Sequence, residues 1–168
     1  MRAFWAIPLV LTGAAEAQRL DLSLVEGVYR HRISREAPEN VLEIVGVSSQ
    51  IAYLRLRLHF DNGHVCNMWG RASVEQGALV YRRPQSIPSS NPGQNACVLR
   101  LRFTAGRVIF EDEGGLCRAE DCGVHGSYDS AGFAQQSRRR ITDLDHLLGS
   151  REYREAGAEF EGRASPPR

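Results

Sequence analysis

The chain has 168 residues, with 21 basic and 20 acidic side chains and a formal net charge of +1. Such a balance produces no long-range field, so charge does not point to nucleic acid or to a membrane surface as the partner. All of the basic residues are arginine, whose planar guanidinium suits bidentate pairing with carboxylates.

The N-terminus has the pattern of a secretory signal peptide. Arg2 is followed by an apolar run over residues 3–15, and Ala15 and Ala17 supply the small residues of a cleavage site. This run is shorter than the roughly 20 apolar residues needed to span a bilayer. We therefore predict a signal peptide over 1–17, a periplasmic or secreted protein, and no insertion into a membrane.

The region from Val25 to about Ile109 predicts successive short strands separated by turns, with little helical periodicity. The expected fold is mainly β, a small antiparallel barrel or sandwich with a short C-terminal helical segment. The predicted strands are Val28–Ile33, Val41–Val47, Ile51–Phe60, His64–Gly70, Ala78–Arg82, Cys97–Phe103 and Arg107–Glu111. The long segment 83–96, rich in Pro, Ser and Asn, predicts a solvated loop.

Two hairpins fix the expected register. Residues 53–60 alternate apolar and polar side chains, and a turn at 61–63 follows. A two-residue turn would place Cys66 opposite His59, whereas a three-residue loop with Gly63 in a left-handed conformation places it opposite Leu58, which buries more apolar area. The second hairpin, at 104–107, is expected to set Phe103 opposite Val108.

The C-terminal third predicts short helices. Phe133 is expected to enter the core, and Thr142 to cap a helix with Leu144, Leu147 and Leu148 as its apolar stripe. Gly149 would end that helix, and Ser150 would cap a second one over 151–156. We predict one β-rich domain over 18–157 and a disordered tail over 158–168.

Four cysteines, Cys66, Cys97, Cys117 and Cys122, predict two disulfides in an exported protein. Three pairings are open. The short separation of Cys117 and Cys122, and the shared interior face of Cys66 and Cys97, favour the pairs Cys117–Cys122 and Cys66–Cys97. The irregular spacing, without a C-x-x-C pair, disfavours the alternatives of a zinc site and a redox-active dithiol.

No motif for catalysis is present. The chain lacks the usual nucleophile, zinc-protease and phosphate-binding motifs, and nothing indicates a cofactor or a metal. His125 and His146 are the histidines whose replacement would test a catalytic role. We predict that the protein is not an enzyme.

The candidate binding residues are polar side chains near the predicted disulfide loop. They are Arg82, Arg83, Arg118, His125 and Tyr128. The loop 83–96 and the segment 117–122 could enter a partner's cleft, because a disulfide-fixed loop loses little entropy on docking. The sheet face with Arg55, Arg57 and His59, joined by Arg100 and Arg102, is a second possible carboxylate-binding surface.

The segment from Cys97 to Tyr128 contains a strand opening with Cys, a hairpin, Cys117, and then Cys122-Gly123 with Gly126. It resembles small exported proteobacterial proteins, most of them uncharacterised, some of which are grouped with periplasmic lysozyme inhibitors. The resemblance implies a periplasmic protein of the inhibitor or immunity type with a protein partner, such as a cell-wall hydrolase. The alternative is a small-ligand-binding or envelope-structural β-barrel. The oligomeric state is left open.

Overall fold

A computed structural model describes residues 19–60, 63–84 and 96–164. Eight strands form one antiparallel sheet whose spatial order follows the chain, and the sheet curls into a nearly closed barrel. This confirms the mainly β fold and decides for a barrel over a sandwich. The strands are β1 (Gly27–His31), β2 (Asn40–Gly46), β3 (Ile51–His59), β4 (Val65–Glu75), β5 (Ala78–Pro84), β6 (Ala96–Thr104), β7 (Arg107–Asp112) and β8 (Gly132–Ala134).

The barrel closes through a small seam between its first and last elements. β8 pairs with β7 over only three residues. Beyond β8 the backbone of Arg139 exchanges two hydrogen bonds of 2.8 Å with Val28 in β1. Gly27 permits this crossing, since a Cβ there would lie 2.6 Å from the carbonyl oxygen of Arg139. One bridge therefore completes the ring of strands.

The predicted hairpin registers are confirmed. Leu58 lies opposite Cys66, and the backbone N–H of Phe60 donates to the carbonyl of His64. Gly63 has φ +79°, the left-handed conformation expected for the last residue of that loop. Phe103 lies opposite Val108 in the next predicted hairpin.

The barrel interior is filled by alternate side chains of the strands. Leu, Ile, Val and aromatic residues from β1 to β8 form one core cluster, which includes Phe133 as predicted. Tyr81 lies so close over Gly70 that a Cβ at Gly70 would be 2.2 Å from its ring. The most fully buried members of the interior are Tyr29, Leu42, Ile44, Leu54, Leu56, Leu58, Met68, Leu79, Leu99, Leu101, Val108 and Phe133.

Three helices complete the fold: α1 (Leu116–Asp121), α2 (Leu144–Leu148) and α3 (Arg151–Ala164). α2 and α3 pack on the outer wall of the barrel, where Leu147 and Ala156 cluster with Val45 and Tyr53. Tyr53 lies on the same face of β3 as Arg55 and Arg57, but it is buried because its ring packs edge-on against Tyr153 of α3.

The C-terminal helix is longer than the sequence pattern indicates. The Ser150 hydroxyl accepts from the N–H of Tyr153, as predicted, but α3 continues past 156 to Ala164. Residues 158–164 are thus helical and not part of a disordered tail. The helix packs on the barrel here, since Ala156 is buried and the absence of a side chain at Gly157 lets it lie close to Arg71 on β4. Residues 165–168 and the signal peptide prediction, 1–17, lie outside the described residues.

The predicted disulfide pairing is wrong. The bonds are Cys66–Cys122 and Cys97–Cys117. Cys66 and Cys97 share the interior face, but β5 lies between their strands in the sheet order. Two strand spacings, roughly 9–10 Å, exceed the reach of a disulfide. Cys117 lies within α1 and Cys122 just after it, so each is placed against a different strand. With all four cysteines bonded, none is left for zinc.

Tryptic mapping of the unreduced protein is expected to confirm this pairing. Trypsin cuts after arginine, but not before proline, and Arg118 separates Cys117 from Cys122. Peptide 58–71 should be linked to 119–138, and peptide 83–100 to 108–118. The pairing favoured by sequence would instead link 58–71 to 83–100, a difference that mass spectrometry resolves directly. A reduced digest is the control, since all four peptides must then appear separately.

Candidate binding site at the disulfide-bonded end

α1 lies across one end of the barrel because buried polar groups fix its first turn. Gly114 and Gly115 both have φ +70°, which turns the chain sharply after β7. The carboxylate of Asp112 then accepts hydrogen bonds from the backbone N–H groups of Cys117 (3.0 Å) and Arg118 (2.7 Å). Burial raises the pKa of Asp112, although these donors favour its ionised form.

The segment after α1 is held to β4 by a disulfide and by a backbone hydrogen bond. Cys122 is bonded to Cys66, and the N–H of Gly123 donates to the carbonyl of Val65 at 3.2 Å. Gly126 packs against this disulfide, where a Cβ would lie 2.9 Å from the sulfur of Cys66. We call residues 116–126, which comprise α1 and the turn after it, the anchored cap.

The anchored cap presents an apolar and an aromatic side chain to solvent. Val124 is 74% exposed, and His125 beside it is also exposed. The His125 ring packs edge-on against His64, with centroids 5.1 Å apart. A Cβ at Gly123 would lie 2.2 Å from Nδ1 of His64, so only glycine fits between the turn and this histidine.

Arg118 lies on the same surface. Its side chain is exposed, and Nη2 donates to the carbonyl of Val124 at 3.1 Å. Within the described ranges it forms no ion pair, so its remaining N–H groups are available to a carboxylate. Of the five predicted binding residues, the structure therefore brings Arg118 and His125 together, with Val124 between them.

Arg83 and Tyr128 lie beneath the cap and support it. Nη2 of Arg83 is 2.6 Å from Oδ1 of Asp121 and 2.9 Å from Oε2 of Glu120. The Tyr128 hydroxyl donates to Oδ2 of Asp121 at 3.1 Å, and Tyr128 is fully buried. Burial raises the pKa of Asp121, although Arg83 and Tyr128 both favour its ionised form. Tyr128 is therefore inaccessible to a partner, and the partly buried Arg83 already pairs with two carboxylates of the cap.

Most arginines of the other predicted surfaces form internal ion pairs, whereas Arg57 forms none with the described residues. Arg82 forms a bidentate pair with Glu75, which lowers the pKa of that carboxyl. On the arginine-rich sheet face, Arg55 pairs with Glu43 across the strands. Arg102 pairs with Glu111 at 2.7 Å and Arg100 with Glu113 at 3.7 Å. The candidate loop 83–96 falls largely outside the described residues, at 85–95.

Sequence reasoning did not single out three residues that shape this site. Val124 is apolar yet exposed. Its position between Gly123 and His125 in a glycine-rich turn is the sequence feature that could have indicated this exposure. His64 and Asp121 gave no such signal, because their roles depend on contacts with distant parts of the chain.

Replacing Tyr128 with phenylalanine should destabilise the protein in a pH-dependent way. The hydroxyl donates to the buried carboxylate of Asp121, and such a bond contributes about 1.5–3 kcal/mol. This hydrogen bond favours the ionised form of Asp121, so its loss raises the pKa of Asp121 further. The folded variant then binds the proton of the Asp121 carboxyl more tightly than the wild type does. The variant therefore loses stability relative to the wild type as pH rises. We expect the deficit in free energy of unfolding to be larger at about pH 7 than at about pH 3.5.

Tyr29→Phe is the matched control. Tyr29 is also buried, but its hydroxyl donates to the neutral carbonyl of Val25 at 2.7 Å. Burial raises the pKa of Tyr29 to about 12, so the side chain is neutral throughout this range. Urea unfolding should give a deficit independent of pH for Tyr29→Phe. Equal pH profiles for the two variants would contradict the role assigned to Asp121.

Comparisons of the chain with protein-family models, curated proteins and solved structures find no match. Among the described helices, none is long and apolar enough to cross a membrane. The same part of the chain contains no cluster of three or more His, Cys, Asp or Glu side chains that could hold a metal ion.

Proposed function

We propose that this is an exported binding protein of the inhibitor type, which docks its anchored cap into the cleft of a cell-wall hydrolase. The observation that carries the proposal is an exposed Val124–His125–Arg118 surface on a backbone fixed by two disulfides. A loop already held in one conformation loses little entropy on binding, which favours tight association.

The chemistry of the cap fits an acidic cleft. Glycosidases of the wall hydrolase class have two carboxylates flanking the bond they cleave. Arg118 offers a guanidinium to such a carboxylate, and Val124 offers an apolar contact beside it. Arg82 and Arg83 are weaker candidates for this role, since each already pairs with carboxylates of its own chain.

The alternative, a barrel that carries a small ligand inside, has less support. Apolar side chains fill the described interior, and the groove at Arg138 to Leu144 and that at Gly46 to Gln50 are open to the outside. A ligand inside the barrel would have to displace core side chains.

The proposal can be tested in a bacterial-wall lysis assay. The purified protein is titrated against a panel of lysozymes and other wall hydrolases. We expect stoichiometric protection against at least one enzyme, lost when the disulfides are reduced. Protection against none of them would contradict the inhibitor function.

Matched variants then locate the binding surface. Arg118→Glu and Val124→Asp should each reduce the protection at least tenfold, since each places a negative charge against an acidic cleft. Arg107→Glu makes the same charge change as Arg118→Glu on an exposed arginine at the start of β7, the opposite end of the barrel, and should leave protection unchanged. Equal loss in all three variants would show that net charge, and not the cap, governs the interaction.

A further inference from the structure

A second surface, at the end of the barrel opposite the cap, has the features of a ligand site. We call residues 138–144 the strap. The backbone of Arg139 in this segment bridges to β1, and the segment then runs along the outer wall of the barrel. A groove of about 480 Å³ lies between the strap and the ends of β1 and β2. This volume is within the range of small-molecule sites, roughly 300–1,000 Å³.

Three consecutive arginines line this groove: Arg138, Arg139 and Arg140. Nη1 of Arg138 is 3.4 Å from the carbonyls of Ser23 and Glu26, and Nη1 of Arg139 donates to two backbone carbonyls of its own segment. Arg140 makes no hydrogen bond or ion pair with the described part of the chain.

These three arginines have no carboxylate partner in the described ranges, and they are consecutive in the sequence, unlike the other arginines that lack an ion pair. Eight arginines there form ion pairs with Asp or Glu, namely Arg30, Arg55, Arg71, Arg82, Arg83, Arg100, Arg102 and Arg151. The strap thus concentrates three cations without anionic partners at one groove. Holding like charges together is unfavourable, and an anion from outside the chain would relieve it.

Most of the remaining side chains that line the groove are apolar. Val45, Ile141 and Leu144 line it, and Leu144 is 40% exposed. Leu148, one helical turn further along α2, is exposed to a similar degree. The one acidic side chain in the lining is Glu26, whose Oε2 accepts from the N–H of Gly46. The groove therefore joins a cationic rim to an apolar wall.

We propose that this groove binds a free anionic amphiphile, a small molecule with a carboxylate or phosphate head and a hydrocarbon chain. The head lies at the guanidinium groups, which pair with such anions bidentately. The chain lies along Val45, Ile141 and Leu144. A free anion without a chain would leave the apolar wall uncovered, and a neutral chain would leave the arginines without a partner.

The test is a calorimetric titration of the purified full-length protein with sodium decanoate below its micelle concentration. We expect saturable binding of decanoate and of decyl phosphate, with decanol and inorganic phosphate each binding at least about tenfold more weakly, a difference of about 1.4 kcal/mol. No saturable binding of either amphiphile would overturn the proposal. Equal binding of inorganic phosphate and decyl phosphate would overturn the part assigned to the apolar wall.

Variants assign the binding to the groove. Arg140→Glu and Leu144→Asp should each weaken decanoate binding at least about tenfold, because one reverses the charge at the head and the other places a charge against the chain. Arg32→Glu reverses an exposed arginine just after β1, at the other end of that strand from the groove, and should have no effect. Thermal unfolding of each variant checks that it is folded. Equal weakening by Arg32→Glu would overturn the assignment to the groove.

Vesicles distinguish the source of the head group. If the protein sediments with phosphatidylglycerol vesicles yet binds neither monomeric amphiphile, the strap recognises a membrane surface and the proposal of a free ligand is wrong. The lysis assay is independent of this result, because the cap and the groove share no residue.

Discussion

Replacing Cys66 and Cys122 together with alanine is expected to lower the free energy of unfolding by about 4 kcal/mol, and replacing Cys97 and Cys117 by about 3 kcal/mol. A disulfide restricts the unfolded chain more when it closes a longer loop. The sequence separations are 56 for Cys66–Cys122 and 20 for Cys97–Cys117. Urea unfolding of the two double variants under oxidising conditions measures the difference.

Reduction provides the internal control for this comparison. In the presence of a reductant, the wild type should lose the contributions of both bonds, and each double variant should lose only that of its remaining bond. The three reduced proteins should therefore have similar stabilities. A larger loss from removing Cys97–Cys117 than from removing Cys66–Cys122 would contradict the loop-length argument and point to packing of α1 as the dominant contribution.

Phe133→Ala is expected to destabilise the protein by about 3–5 kcal/mol. Phe133 is 1% exposed and is the central residue of the three-residue strand β8. Its ring packs edge-on against Tyr29 of β1 and Phe110 of β7, so one side chain connects the two sides of the seam. Truncation leaves a cavity where few backbone hydrogen bonds hold the barrel together.

Phe103→Ala is the matched control for that substitution. Phe103 and Phe133 both lie opposite Val108, on the two strands flanking β7. Phe103 is only partly buried, so we expect a loss of about 1–2 kcal/mol from its truncation. Equal losses in chemical denaturation would show that Phe133 contributes no more than an ordinary core residue and has no special role at the seam.

The strands could be predicted from the sequence because their signals are local. Alternation over 53–60 and the glycine at 63 fix a hairpin whose geometry depends on a few neighbouring residues, and the pairing of Leu58 with Cys66 followed from burial alone. The same holds for the 104–107 hairpin. Phe133 could be assigned to the core because a lone aromatic residue in a polar segment has few other places to lie.

Features that depend on distant contacts could not be predicted. Short separation favoured Cys117–Cys122, but α1 forms between these residues and directs each to a different strand. The alternation along β3 assigns Tyr53 to the polar face, and nothing in β3 indicates that α3 covers it. At the candidate site, Arg118 and His125 were identified from sequence, whereas the burial of Tyr128 and the pairing of Arg83 with Asp121 depend on the position of α1.

The neighbour-to-neighbour order of the strands has a kinetic consequence. Every strand after β1 pairs with the strand that immediately precedes it, so the sheet can grow hairpin by hairpin in the order of synthesis. Most of these steps close a short loop at a small entropic cost, and α1 lies within the longer connection from β7 to β8. The contact of Val28 with Arg139 joins the two ends of this series. We therefore expect ring closure to be the last event in folding, and the seam to be unformed in the transition state.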